Sequence, residues 1–213
     1  MDHKGWHERG YLPHFDAAGV FQHIVFRLHG SLPGGVLNDL KAPAPKGEEW
    51  RTAIDNALDR SLGPVWLADP ENARLVVDAL MRFDGERYRL LAWCVMPNHV
   101  HVLVQQREGW PLGVVVKSWK TFSARAINQR LGREGAFWAK DYFDRYMRDS
   151  DQVEAARLYI EANPVKAGLC PTPADWRWSS AGLERGPPGP QASAPQIADL
   201  EVRAPPSSNP FQR

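Results

Sequence analysis

Apolar and polar positions divide the chain into alternating strand-like and helix-like stretches. Residues 20–28, VFQHIVFRL, are rich in β-branched and aromatic types and predict a first strand, followed by the Gly/Pro-rich loop GSLPGGVLNDLKAPAPKGE. In EEWRTAIDNALDRSL the apolar Trp50, Ala53, Ile54, Ala57 and Leu58 recur at helical spacing. A second helix opens with Asp69 as N-cap and Pro70 at its first position, and carries Ala73, Val76, Val77, Leu80 and Met81 on one side. RYRLLAWCVM and HVHVLVQQ then predict two strands joined by a Pro-Asn turn, an antiparallel hairpin. PLGVVVKSWKTFSARAINQRL predicts a helix burying Val115, Val116, Trp119, Phe122, Ala126 and Ile127. AFWAKDYFDRYMR alternates like a strand, and SDQVEAARLYIEANP predicts a helix capped by Ser150 and stopped by Pro164. This order predicts an α+β fold, an antiparallel sheet with helices packed on one face and the other face open to a ligand. From residue 184 the chain turns Pro-, Ala- and Ser-rich and reads as a flexible tail, leaving residues 1–183 as one domain with its core at about 10–170.

The hairpin contains the first chemical signal. Val100, Val102 and Val104 fall on one side of their strand, and His99, His101 and Leu103 on the other. The two imidazoles are about 6.6 Å apart at their Cα atoms, close enough to converge on one ligand. The same spacing also fits the polar face of a half-exposed strand. Composition narrows the setting. No apolar run approaches the roughly 20 residues a bilayer requires, and MDHKGWHERG lacks the apolar core of a signal peptide. Cys94 and Cys170 are too few for a disulfide framework, so a reducing cytoplasm is expected. Net charge is only +1, yet Arg107, Lys117, Lys120, Arg125, Arg130 and Arg133 face Glu108 alone between residues 107 and 133. Such a basic stripe suits a phosphate backbone on one side of the molecule, or simply a solvated helix face.

The last helix supplies partners for the histidines. Tyr159 and Asn163 are four residues apart, hence on one side of the helix. An Asn163 amide oxygen would complete a set of two imidazoles and one oxygen on a metal. Tyr159 beside a phosphate on that metal would be a nucleophile next to a Lewis acid. Tyr142 and Tyr146 fit packing or base stacking better, and Tyr11 and Tyr88 have no ligand-like neighbours. Imidazole nitrogens alone would favour zinc. Glu161 lies on the wrong side of its helix to take the Tyr159 proton, which leaves the general base unassigned.

MPNHVHVL, then FWAKDYFDRYMRD, YIEANPVKAGL and DWRWSS, in this order, resemble the single-tyrosine HUH transposases, and within them the REP-associated tyrosine transposases. The resemblance runs from about RGYLPHFD through WRWSS. It implies a ferredoxin-like fold with the His pair on the sheet, and Mg²⁺ or Mn²⁺ held by His99, His101 and Asn163. It further implies Tyr159 attacking single-stranded DNA beside a palindromic hairpin, leaving a 5′-phosphotyrosine and a free 3′-hydroxyl. Such exchange conserves bond energy, and the chain has no G-x-x-x-x-G-K-[ST] loop for ATP. Lys117, Lys120 and Arg125 are the expected DNA contacts, with some tryptophans stacking on unpaired bases. The resemblance points to a bacterial, nucleoid-associated protein acting as a monomer, with a dimer as the alternative. Two other readings fit the residues: a non-catalytic hairpin-DNA binder, and a zinc phosphodiesterase in which water attacks and Tyr159 is structural.

Overall fold

The computed structural model describes residues 2–9, 12–32, 34 and 48–182. The strands are β1 (Gly5–Arg9), β2 (Leu12–Asp16), β3 (Phe21–Arg27), β4 (Tyr88–Val95), β5 (His99–Gln106) and β6 (Phe143–Tyr146). The helices are α1 (Glu48–Asp59), α2 (Pro70–Met81), α3 (Leu112–Leu131) and α4 (Ser150–Lys166). The tail from residue 184 lies outside the described residues.

β4, β5, β3 and β6 form one antiparallel sheet in that order. Counting only these strands, the spatial order is second, third, first, fourth, with α2 and α3 in the two crossovers. This is the β-α-β-β-α-β arrangement of the ferredoxin-like fold. α2 and α3 pack on one face: Ile24, Phe26, Val100, Val102 and Val104 meet Val76, Leu80, Val116 and Trp119 there, all at most 1% exposed. Each such side chain contributes roughly 1.5–3 kcal/mol by leaving water. Trp119 Nε1 donates to Tyr88 Oη at 2.8 Å, and Tyr88 Oη donates to the Leu80 carbonyl at 2.6 Å, so the buried polar atoms are paired.

The opposite face is not left bare. α4 lays Val153, Ala156 and Ile160 on Phe21, Cys94 and Leu103, while Ile54 and Leu58 of α1 cover Val25 and Leu32. These two helices, additional to the ferredoxin-like pair, frame the histidines. A third addition is the β1–β2 hairpin, whose His14 bonds to Asp144 of β6 and whose buried Asp16 accepts from Gln106 Nε2 and from Leu112 N at the start of α3. Trp176 Nε1 and the Trp178 carbonyl bond to Val95, so the DWRWSS segment shields the free edge of β4.

Four local expectations are corrected. α4 is capped by Asp149, whose carboxylate accepts from Gln152 N, and Ser150 is its first residue. α4 also runs through Pro164 to Lys166. A proline in the last turn removes only one main-chain donor, and Ala167 N and Leu169 N close the end on Asn163 O and Pro164 O. Strand β6 covers only Phe143–Tyr146, because Phe137, Trp138 and Tyr142 turn into the helix-covered core instead of alternating. Phe122, expected inside, is 39% exposed with the Arg82 guanidinium over its ring.

Candidate active site

His99 and His101 point from β5 to the α1/α4 side of the sheet and are fully buried. Their Nε2 atoms face each other at 3.0 Å. Tautomers follow from the neighbours. Asn98 Nδ2 donates to the Leu58 carbonyl of α1, which turns Asn98 Oδ1 toward His99 Nδ1 at 2.6 Å. An amide oxygen only accepts, so His99 carries its proton on Nδ1 and its Nε2 lone pair points at His101. His23 of β3 stands behind His101, with Nε2 3.1 Å from His101 Nδ1 and the rings stacked. Without a cation, His23 Nε2–H donates to His101 Nδ1 and His101 Nε2–H donates to His99. When His101 takes its proton on Nδ1 instead and donates to His23, both Nε2 lone pairs are free for a metal. His23 is therefore the residue behind a ligand that sets its tautomer. Burial, then the charges of His101 and Lys166, hold the His99 imidazole well below its usual range, and burial followed by the Lys166 charge pulls His101 down to about 3. Both are neutral at pH 7, the form that binds metal.

α4 brings the other two expected residues. Tyr159 sits with its ring centroid 6.0 Å from those of His101 and His23. One turn later Asn163 is buried, and neither of its amide atoms has a hydrogen-bond partner among the described residues. An unpaired buried amide costs roughly 1–3 kcal/mol, so its oxygen suits the role of a metal ligand. Among the described residues no three His, Cys, Asp or Glu side chains gather as a metal cage. The expected third donor, the Asn163 oxygen, stands on α4 one turn beyond Tyr159, and the remaining positions on such an ion would be open to oxygen ligands.

α1 contributes two carboxylates. Tyr159 Oη donates to Asp55 Oδ2 at 2.7 Å. Asp59 Oδ1, without a hydrogen-bond partner among the described residues, lies 3.9 Å from His99 Nε2. That is too far for coordination but places negative charge where a cation would sit. Burial raises the Asp59 carboxyl to about 6 against the pull of Lys166, whose Nζ is 3.7 Å from Asp59 Oδ2 and 3.1 Å from Asn56 Oδ1. Burial, then the charge and hydrogen bond of Asp55, push the Tyr159 phenol well above its usual range. Glu161, by contrast, is bound to Arg157 and Ser180 away from the phenol, in line with its exclusion as base. His23, Asp55 and Asp59 escaped the motif reading. Asp55 and Asp59 do share an i, i+4 face, a weak signal in an ordinary amphipathic helix.

The expected DNA contacts lie elsewhere. α3 packs on the face of the sheet opposite Tyr159, so Lys117 and Arg125, both exposed, are a sheet's thickness from the phenol. Lys120 holds the loop before β6, donating to the carbonyls of Ala139 and Lys140 at 2.6 and 2.8 Å. Arg130 is likewise tied to Asp69 and Asn72. Lys166 is a cation beside the site, with its Nζ 3.7 Å from Asp59 Oδ2 and 5.5 Å from the centre of the Tyr159 ring.

Residues 81–163 match the family model described as IS200-like transposases, a span that contains His99, His101, Tyr159 and Asn163. A Haemophilus influenzae protein assigned as a REP-associated tyrosine transposase is 27% identical over 103 residues, 44% of this chain and 58% of that relative. The resemblance to REP-associated tyrosine transposases holds. The matched stretch spans little more than half of that relative's length. A solved REP-associated tyrosine transposase, bound to a REP hairpin, shares this fold at a TM-score of 0.53 and 14% identity, over 82% of this chain and 84% of that one. A transposase structure from Deinococcus radiodurans aligns over 74% of this chain and 96% of its own at 19% identity, with a TM-score of 0.34. α1 and His23 lie outside residues 81–163, the span matched by the family model.

Proposed function

We propose that this protein is a metal-dependent DNA transposase that cleaves and rejoins single-stranded DNA next to a palindromic, REP-type hairpin through a 5′-phosphotyrosine on Tyr159. The observation that carries the reading is the meeting of two distant segments: the His99/His101 pair of β5, and α4 with Tyr159 and, one turn on, Asn163 with an unpaired buried amide. His99, His101 and Asn163 would hold Mg²⁺ or Mn²⁺, which would supply Lewis acidity toward a phosphodiester and an oxygen-rich remainder of the shell. The chain's own residues do the rest. Asn98 and His23 orient the imidazoles, the ring contact with His101 positions the phenol, and Lys166 offers positive charge to the scissile phosphate. Because the imidazoles are fully buried, the phosphate would approach over the partly exposed Tyr159 side. Lys117 and Arg125, on the far face, would meet the hairpin stem rather than the cleaved linkage. The hairpin partner is supported by the likeness to a hairpin-bound structure and by the relative's assignment.

Incubation with a hairpin oligonucleotide carrying a single-stranded flank and Mn²⁺, followed by a denaturing gel, tests this. A protein–DNA adduct lost in Tyr159→Phe is the expected result. Cleavage without an adduct would move the chemistry to water, and binding without cleavage would leave only a hairpin-binding protein.

A further inference from the structure

We infer that Asp55 is the proton acceptor for Tyr159 during cleavage and returns the proton during rejoining, an inference that rests on the phosphotyrosine reading above. Every other acidic group near the phenol is otherwise placed. Asp59 faces His99 and Lys166, and Glu161 is bound to Arg157 and Ser180. His99 and His101 direct their Nε2 atoms at each other, the atoms that would hold the metal. Asp55 accepts the hydrogen bond of the reacting oxygen at 2.7 Å, within the reach a general base requires. Its side chain is 7% exposed on α1, so the carboxylate is held against the phenol rather than sampling solvent. A small cavity lined by His23, Ile54, Asp55, Phe143 and Arg145 adjoins it, a path by which the carboxyl group can exchange its proton with water.

The step balances. As the phenolic oxygen bonds to phosphorus, its proton passes to Asp55 Oδ2. The bond from phosphorus to the 3′-oxygen breaks, and that oxygen takes a proton from water. In rejoining, a deprotonated 3′-oxygen attacks, the tyrosyl–phosphorus bond breaks, and the Asp55 carboxylic acid protonates the departing phenolate. A free carboxylate is a far weaker base than a phenolate. Transfer therefore occurs only as the O–P bond forms and the phenolic oxygen loses its basicity. This restricts the nucleophile to an engaged phosphate and leaves resting Tyr159 protonated, as its raised pKa requires.

Single-turnover adduct formation by the full chain, with the hairpin oligonucleotide and Mn²⁺, separates the layers. If the wild type forms no Tyr159 adduct, the underlying reading fails first. If it does, Asp55→Asn, which keeps a hydrogen-bond acceptor beside the phenol, is expected to slow adduct formation about 10²–10⁴-fold. Asp55→Ala is expected to recover rate as formate is added, which a purely structural role would not allow. Wild-type speed in Asp55→Asn, a faster variant, or no response to formate would overturn the assignment, the faster variant marking Asp55 as a latch on the nucleophile. Should both variants melt below the assay temperature, the wild-type rate in D₂O decides. Slowing supports a proton in flight, and an unchanged rate refutes it.

Discussion

The buried imidazoles make the protein's stability depend on pH in a way that can be calculated. His101 is held neutral down to about pH 3, whereas in the unfolded chain it titrates near 6.5. Below 6.5 the unfolded state therefore binds a proton that the folded state refuses, and stability is lost as the pH falls from 6.5 toward 3. At pH 5 the gap to the unfolded value corresponds to about 2 kcal/mol for His101, at roughly 1.4 kcal/mol per pH unit. His99 acts in the same direction, its cause again being burial first. Asp59 works against them. Its carboxyl is raised to about 6, so its ionisation costs stability that is recovered as the pH drops through 6 toward the unfolded value of 3.8. A His101→Gln comparison removes that opposing contribution, because Asp59 is present in both proteins. Urea unfolding with EDTA at pH 7.5 and pH 5 should show the wild type losing about 2 kcal/mol more than His101→Gln over this interval. The baseline stabilities of the two proteins do not matter, only the difference in slope. Parallel pH curves would refute the sealed, neutral imidazole, since a solvent-accessible histidine protonates equally in both states.

His23→Phe keeps a ring beneath His101 but removes its proton partner, so Mn²⁺ affinity, read by EPR titration, should fall about 10–100-fold with the fold intact by circular dichroism. Asn163→Leu should abolish tight Mn²⁺ binding yet leave the melting temperature unchanged or higher, because it replaces two unpaired buried polar atoms; a large destabilisation would mean the amide has a structural partner. Lys117→Ala and Arg125→Ala should each lower the slope of log K against log salt for hairpin binding by about 1. Lys120→Ala should leave that slope unchanged and lower stability by about 1–3 kcal/mol, since its ammonium serves two main-chain carbonyls.

The fold was legible where periodicity and burial agree. Val100, Val102 and Val104 alternate with His99, His101 and Leu103, and the sheet divides them as the alternation requires. Asp69 and Pro70 opened a helix because cap and fixed φ act locally. Errors came where distant contacts override local preference. AFWAKDYFDRYMR alternates like one strand, but Phe137, Trp138 and Tyr142 join the helix-covered core, and pairing with β3 survives only over four residues. Pro164 looked like a stop signal, yet a proline three residues from a helix end forfeits only one bond. The β1–β2 hairpin offered almost no apolar alternation. Its anchors are polar and remote, His14 on Asp144 and Asp16 on Gln106 and Leu112, pairs that no local window contains.

The site divides along the same line, with a chemical consequence. The residues proposed as ligands and nucleophile could be picked out because each pair is local: His99 with His101 on one strand face, Tyr159 with Asn163 on one helix face. Those proposed to control protons could not. His23 touches His101 across the β3–β5 pairing, and Asp55 reaches Tyr159 from 104 residues away. Both contacts depend on tertiary packing, on β3 beside β5 and on Ile54 and Leu58 seating α1 over Val25 and Leu32. In the proposed reading the His99/His101 and Tyr159/Asn163 pairs would set where a metal and a nucleophile meet, while α1, outside the matched span, would bring the carboxylates that decide when the phenol can lose its proton. A chain of the same motif lacking this helix would keep the ligand set and would have to deprotonate its tyrosine by some other group or by solvent. Swapping α1's Asp55 and Asp59 for Asn should therefore alter the rate of tyrosine attack while sparing the DNA sequence at which it occurs.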